Sequence, residues 1–390
     1  MYFLILKATK MFKNNVFVIL LRLSFISFVL CQSRNYFDRK CPVNNRNAVR
    51  KCKIYIDNNT LNFNDFRVWT SELPKSTKVA LEVSCGPNGR MFLPWPMKAK
   101  RLVKLEVRGC TLEGFTSEFN KTSKLVDELQ DLTLDSCDSV MSLDNIFDLI
   151  YTPVSQEYDC GQQKIHSSVI RNMTYSFPDL NPKDQSLNTH QEDLLMSSSD
   201  VLIDKSEQTR YTCRYPNLEY IDKSTSRSRS KLHLRLMTDY STYPNLRTFL
   251  LSDNGYKRIP QEVVNWRKSF PQLEYMDMSK NSITKFDFLG TSFNRRIRRN
   301  RPLVVNLSYN SVKTIPYNIV EYMNGTLPII VDLTGNPFSC DCSFLRYKKY
   351  VIDVVRKYPK FKRLSLIKCY STRTGRRIKL VDYNNYNCLF

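Results

Sequence analysis

Apolar residues recur along this chain at a nearly constant interval, and that interval restricts the folds open to it. Leu102, Leu105, Val107, Cys110 and Leu112 form one instance of a short pattern, and Leu129, Leu132, Leu134, Cys137 and Val140 form the next. Leu246, Phe249, Leu251, Asn254 and Tyr256 resume it, followed by Leu273, Met276, Met278, Asn281 and Ile283. Val305, Leu307, Asn310 and Val312, then Val331, Leu333, Asn336 and Phe338, complete it. The anchors Cys110 and Cys137 lie 27 residues apart, and Asn254, Asn281, Asn310 and Asn336 follow one another at 27, 29 and 26. Two weaker instances fill in the array. Leu81, Val83 and Gly86 suggest a first one. Leu218 and Ile221 make another, with Lys223 at an apolar place and Ser226 as anchor, 28 residues before Asn254. A period of this size fits a coil in which each turn supplies one short strand and one return connection.

Such a coil exposes an apolar layer at each end, which needs a cover. The stretch Val331–Cys342, VDLTGNPFSCDC, supplies one: the last repeat passes directly into Cys340-Asp341-Cys342, with Cys369 and Cys388 downstream. This junction, together with the repeats, resembles extracellular leucine-rich repeat proteins with a cysteine-rich C-terminal cap, over roughly 78–149 and 215–390. The resemblance implies an α/β solenoid, a horseshoe with a parallel concave sheet and disulfide-bonded terminal caps. It implies that an anchor Asn points inward and pairs backbone groups of adjacent turns. Cys340 and Cys342 are too close along the chain to bond each other, which leaves two pairings. The resemblance implies Cys340–Cys369 and Cys342–Cys388. After Cys-x-Cys the chain carries Phe344, Tyr347 and Tyr350 and no Trp.

Compartment follows from the N-terminus. Lys7, Lys10 and Lys13 precede the apolar run Val16–Leu30 and then Cys31-Gln32-Ser33, which reads as a secretory signal peptide over 1–31. Arg22 interrupts the run, which is short for a membrane span. No later stretch is apolar enough to span, and Tyr383–Phe390 is not a lipid-anchor tail. Twelve cysteines and five glycosylation sequons, at Asn58, Asn120, Asn172, Asn306 and Asn324, are consistent with a secreted glycoprotein. The net charge of +22 suggests polyanionic partners; outside the cell, nucleic acid drops out and sulfated glycan remains.

The expected organisation is then a cysteine-containing N-terminal cap over 32–77, repeats 1–3 over 78–149, repeats 4–8 over 215–338 and the C-terminal cap over 339–390. Between the two arrays, 150–214 reads as a polar, largely disordered insertion, rich in Ser, Asn, Gln and Asp over His166–Gln208. Cys160 and Cys213 bracket it and are expected to close it at its base. Cys110 and Cys137 are expected as buried, unpaired thiols. Among Cys41, Cys52 and Cys85 one pair is expected in the cap, with one thiol left over.

In each strand the residue between the two apolar positions faces outward on the concave side. These residues are Glu82, Glu106, Thr133, Asp222, Leu250, Asp277, Asn306 and Asp332, none of them basic. Aspartate there is also a common solvated position in the family. Glu106, Asp222, Leu250, Asp277 and Asp332 are the expected partner-binding residues, with contact centred on the N-terminal half because a glycan on Asn306 would cover its surroundings. The bases lie elsewhere: Arg295, Arg296, Arg298, Arg299 and Arg301 cluster in one connection. Guanidinium forks match sulfate oxygens, so these five are the expected glycan-binding residues; Arg296-Ile297-Arg298-Arg299 also suits a dibasic protease. From Cys340 to Phe390, thirteen Lys/Arg face three Asp.

With three histidines and no catalytic signature, the chain is expected not to be an enzyme and to need no cofactor or metal. The expected function is non-enzymatic protein recognition outside the cell, with an extracellular protein ligand or receptor as partner. The alternative is a matrix protein that binds heparan-type sulfated glycans. The irregular early repeats, polar insertion and basic cap further resemble secreted insect members of this family, which implies a role in hormone-timed moulting.

Overall fold

A computed structural model describes residues 36–42, 49–114, 125–142, 162–176, 213–226, 241–260, 263, 266–285, 301–315 and 329–384. Ten strands form one parallel sheet in chain order: Val49–Ile56, Lys78–Cys85, Leu102–Arg108, Asp131–Asp135, Ser167–Arg171, Tyr220–Asp222, Thr248–Leu250, Tyr275–Asp277, Leu303–Asn306 and Ile329–Asp332. Each strand pairs only with the turns before and after it, which makes the chain a parallel-sheet solenoid of the kind the repeats imply. The apolar repeat positions face inward: Leu105, Val107, Leu132, Leu134, Phe249, Leu251, Met276, Met278, Val305 and Leu307 are all buried in one continuous core.

Two turns escaped the sequence pattern. The first strand, Val49–Ile56, lies in what reads as the cap, so the N-terminal cap is itself a turn of the coil. Its Cys52, Ile54 and Ile56 alternate inward, between exposed Lys51, Lys53 and Tyr55. The second, Ser167–Arg171, lies inside the stretch read as a disordered insertion. Ser168 pairs across from Leu132 and Ile221, so this turn is written Ser-x-Ile where its neighbours read Leu-x-Leu or Ile-x-Lys. Ile165 and Met173 still supply buried contacts on either side. Polar composition concealed this strand because backbone pairing with the strands on both sides holds it in register.

The first half of the coil carries a second parallel sheet on its return side. Thr60–Asn62, Arg90–Phe92, Thr111–Glu113, Asp138–Val140 and Thr174–Ser176 pair in sequence, so five successive connections run as strands. In the second half the described connections form no strands of this second sheet, and asparagines add to the pairing. Asn310 Nδ2 donates to the carbonyls of Met278 and Leu307, at 2.9 and 3.0 Å, and Asn310 Oδ1 accepts from Ile283 N at 3.0 Å. Asn281 and Asn336 repeat the arrangement one turn away on either side. These are buried backbone groups that would otherwise be unpaired.

The cysteines correct one expectation. Cys110 is not a free thiol: it bonds Cys85, and the bridge joins adjacent turns whose Cα atoms lie 4.9 Å apart, about the spacing of neighbouring strands. Cys85 is therefore not left over, and the cap pair is Cys41–Cys52. Cys137 is free and buried, and its thiol reaches the carbonyls of Asp135 and Val107 at 3.4 and 3.6 Å. It occupies the place that asparagine holds further on. Burial pushes this thiol up, with weak help to the thiolate from backbone groups, which leaves it chemically quiet.

Both ends are covered. At the N-terminus α1, Phe63–Glu72, buries Phe63, Phe66 and Trp69 against Phe37. A short α2, Trp266–Ser269, belongs to the connection before Tyr275–Asp277, and at the C-terminus α3, Cys342–Lys357, lies over the last strand. Asp341 caps α3 by accepting from Phe344 N at 3.1 Å. The edge strand Ile329–Asp332 is then sealed by two tyrosines. Tyr347 OH donates to Val331 O at 3.0 Å; Tyr350 OH donates to Ile329 O at 2.7 Å and accepts from Val331 N at 2.8 Å. Phenol groups thus pair the backbone that an eleventh strand would have paired, which is how the cap manages without Trp. Cys340 bonds Cys369. Cys342 is disulfide-bonded too, and its expected partner Cys388 lies outside the described residues, as do Cys160 and the segment 1–31.

Candidate recognition surface

Pleating puts residues two apart on the same face, so the open face of the main sheet carries three parallel rows. The middle row runs in unbroken register through Lys53, Glu82, Glu106, Thr133, Val169, Asp222, Leu250, Asp277, Asn306 and Asp332. All eight expected residues lie in it, joined by Lys53 at its start and Val169 inside it.

In the first half this face is not an acid field. Lys104 and Arg108 stand two residues either side of Glu106 and pair with it at 3.0 and 2.6 Å. Arg108 also reaches Asp135 at 3.6 Å; Arg171 holds Asp135 at 2.9 Å and Asp222 at 3.9 Å. Lys53 pairs with Glu82 at 3.3 Å. Burial raises the Glu106 and Asp135 carboxyls, but hydrogen bonds from these bases more than offset it and hold both below the usual carboxylate range. The Asp135 contact correspondingly raises Arg171. A reading confined to the residue between two apolar positions sees the acids and misses the bases two residues away, and so overstates the segregation of charge.

In the second half the middle-row side chains turn toward their own backbone. Asp222, Asp277, Asn306 and Asp332 each accept from the N–H two residues on, at 2.9, 2.8, 3.1 and 3.0 Å. Each bond stiffens the corner where the strand ends. Arg363 of the C-terminal cap approaches Asp332 at 3.5 Å. The side chains of Asp222 and Asp332 are only 7% and 9% exposed, so these two act mainly as structural acceptors. Between them Leu250 is half-buried and makes no side-chain hydrogen bond, and it abuts a row of half-buried Tyr220, Thr248, Tyr275 and Val304, again in register. Tyr275 OH receives a hydrogen bond from Asn306 Nδ2 at 3.4 Å. The sequence reading missed this aromatic and aliphatic row, although counting two residues back from the middle row locates it.

The remaining expected residues are distributed as follows. Of the five arginines, Arg301 is described, and it pairs with Glu274 at 3.2 Å, a carboxylate that Arg247 holds at 2.9 Å. Arg295, Arg296, Arg298 and Arg299 lie outside the described residues, as do Asn120 and Asn324. Asn58 and Asn172 are exposed; Asn306 is half-buried on the open face. Among the described residues no group of three or more His, Cys, Asp or Glu is placed to hold a metal ion, and no helix is long and apolar enough to cross a membrane.

No protein-family model and no curated protein matches the chain. Among solved structures it is similar to human 5T4 (Wnt-activated inhibitory factor 1, trophoblast glycoprotein), at 16% identity and a TM-score of 0.47, over 88% of this chain and 95% of that one. It is also similar to a chain of the mouse RP105/MD-1 complex, at 15% identity and a TM-score of 0.44, over 86% of this chain and 50% of that one. A chain of the octameric complex of latrophilin 3, Unc5D and FLRT2 aligns at 12% identity and a TM-score of 0.39, over 86% of this chain and 90% of that one. Likeness at this level concerns fold, and the functional reading rests on this chain's own residues.

Proposed function

We propose that the protein is a secreted glycoprotein that acts outside the cell as a non-enzymatic protein-recognition module. Three disulfides, Cys41–Cys52, Cys85–Cys110 and Cys340–Cys369, support an oxidising compartment. The observation that carries the recognition reading is the strip of Tyr220, Thr248, Tyr275 and Val304 beside Leu250, half-open on a rigid, register-locked sheet. Aromatic anchors held at fixed spacing lose little entropy on binding. The partner centres on Leu250 and the adjoining Tyr220 and Thr248, on the N-terminal side of Asn306, and extends toward the paired charges around Glu106, while Asp222, Asp277 and Asp332 hold the backbone beneath it. The broader resemblance to the insect protein halfway, also called singed wings, extends this reading to signalling in hormone-timed moulting.

Leu250→Arg tests the reading without touching a turn-forming side chain. Extracellular fluid passed over the wild-type protein and the variant in parallel is expected to yield a salt-resistant protein partner retained by the first and lost from the second. Identical captures from the two would place recognition elsewhere and sink the proposal.

A further inference from the structure

The C-terminal cap ends in an antiparallel hairpin, Lys368–Ser371 with Arg376–Lys379. Its pairing sets Lys368 directly opposite Lys379 and Tyr370 directly opposite Arg377. One face of the hairpin looks inward: Cys369 is buried in its disulfide, and Ile378 packs on the core. The other face therefore carries Lys368, Tyr370, Arg377 and Lys379, all exposed, with Tyr370 at 51%.

Like charges directly opposite each other in a sheet are destabilising, and nothing nearby relieves this pair. Among the described residues none of Lys368, Arg373, Arg376, Arg377 and Lys379 forms an ion pair. Asp382 is the only acid between Leu366 and Asn384, and it makes no ion pair there either. This sets the hairpin apart from the other charged surfaces. On the open face of the first half, Glu106, Asp135 and Glu82 neutralise their bases, and Arg301 is matched by Glu274.

The hairpin is also rigid. Tyr370 N donates to Phe338 O at 2.8 Å, and Cys340 N donates to Tyr370 O at 3.0 Å, so the strand Lys368–Ser371 is held to the end of the last repeat on its second side. The Cys340–Cys369 bond clamps the same point. A polyanion meeting this face finds cations already fixed in position, which lowers the entropy lost on binding.

We propose that this outer face is a binding site for a sulfated polysaccharide. Arg377 offers a planar fork that matches sulfate oxygens two at a time; Lys368 and Lys379 supply point charges at fixed spacing, and Tyr370, exposed opposite Arg377 on the same face, adds an aromatic ring for a sugar. The disulfides place the chain where sulfated glycans, not nucleic acids, are the abundant polyanions. A helix that lies in a membrane surface presents a wide apolar face, whereas this face is dominated by charge, with Leu366 and Val381 exposed at one end. The site is separate from the sheet face proposed for protein recognition, so either can fail alone.

The test uses the full secreted chain on immobilised heparin. Wild type is expected to bind, with affinity falling as salt rises and with fully desulfated heparin failing to compete. Lys368→Ala, Arg377→Ala and Lys379→Ala combined are expected to weaken binding by about tenfold or more. Lys257→Ala, Arg258→Ala and Lys285→Ala combined remove the same charge from exposed positions of the repeats, and are expected to cost about twofold or less. In the unaltered protein, heparin is expected to shield Lys368 and Lys379 from acetylation, a readout that needs no variant to fold. Equal losses from the two triple variants, competition by desulfated heparin, or unshielded Lys368 and Lys379 would overturn the proposal. So would binding to phosphatidylserine vesicles through the hairpin that heparin does not displace.

Discussion

The turns before residue 176 and those after residue 241 stack on the same sheet yet secure their return sides by different chemistry. In the first half the connection runs as a strand, and its own backbone links one turn to the next. Thr111 N donates to Gly89 O, Asp138 N to Cys110 O and Thr174 N to Cys137 O, at 3.1, 3.0 and 3.0 Å. The anchor residue then has little left to satisfy, and a cysteine serves, bridged at Cys110 and free at Cys137. In the second half the described connections form no strands of the second sheet and their backbones meet at fewer points, as where Ser282 N donates to Tyr256 O at 2.8 Å and Ser311 N to Ile283 O at 2.9 Å, and the amides of Asn254, Asn281, Asn310 and Asn336 add to the linking. The comparison shows what the anchor asparagine adds: where the described connection forms no strand of that sheet, its amide pairs buried backbone groups that the sparser backbone bonds leave over. At the seam the chemistry is incomplete. Asn254 Oδ1 is buried without a hydrogen-bond partner, and the preceding turn carries Ser226 where the next carries Asn254. In that same turn Lys223 stands at an inward position, and burial pushes its ammonium down to about 8.

The comparison breaks first at Asn310. Asn310→Ala is expected to cost about 3–5 kcal/mol, because it strands a buried N–H of Ile283 and removes one of the two amide bonds that each of the Met278 and Leu307 carbonyls receives, leaving those from Asn281 and Asn336. Urea unfolding measures this, and a loss under about 1 kcal/mol would show that the amide ladder is dispensable. Hydrogen exchange in the variant should quicken in the second half and remain slow around Leu105 and Leu132.

The next test removes the bridge of the first half. Cys85→Ala with Cys110→Ala opens a loop of 25 residues in sequence and is expected to cost about 3 kcal/mol. The second sheet should persist, so the far-ultraviolet spectrum should be unchanged while the melting temperature falls. Loss of the strand signal would mean that the disulfide, and not the backbone ladder, holds these turns.

The smallest effect probes the seam. Lys223→Leu is expected to stabilise the protein by about 1–3 kcal/mol at neutral pH. In the folded chain Lys223 releases its proton near pH 8, whereas the unfolded chain holds it to about 10.5. The unfolded state thus binds more protons between these values, and wild-type stability should rise as pH increases from 8 toward 10.5. The variant should lack this rise. A wild-type profile that is flat there would mean the ammonium reaches water.

The legible parts of the molecule are those in which one residue type answers one local demand. Leucine and its substitutes mark inward strand positions, asparagine marks buried amide pairing, and the Cys-x-Cys after Asn336 marks the end of the array. Ser167–Arg171 was illegible because its inward Ser168 and Ile170 carry too weak an apolar signal, although neighbouring strands impose their register on it. The pairing of Cys110 was illegible for a related reason. Its place as an inward anchor is visible in sequence, but the proximity of Cys85 one turn below depends on the pitch of the stack. The bases facing Glu106 and Asp135 stand in the sequence in plain view, and only the shared face of a pleated sheet brings them together.

Taken alone, then, the sequence determined that this chain is a solenoid of about 27-residue turns with apolar strands inward and a cysteine cap, because periodic burial leaves a periodic trace. Tertiary structure decided which acids are neutralised, which cysteines meet, how two tyrosine hydroxyls close the last strand, and that the hairpin cations remain unmatched. Each of these depends on distances between residues of different turns, which a one-dimensional pattern does not contain.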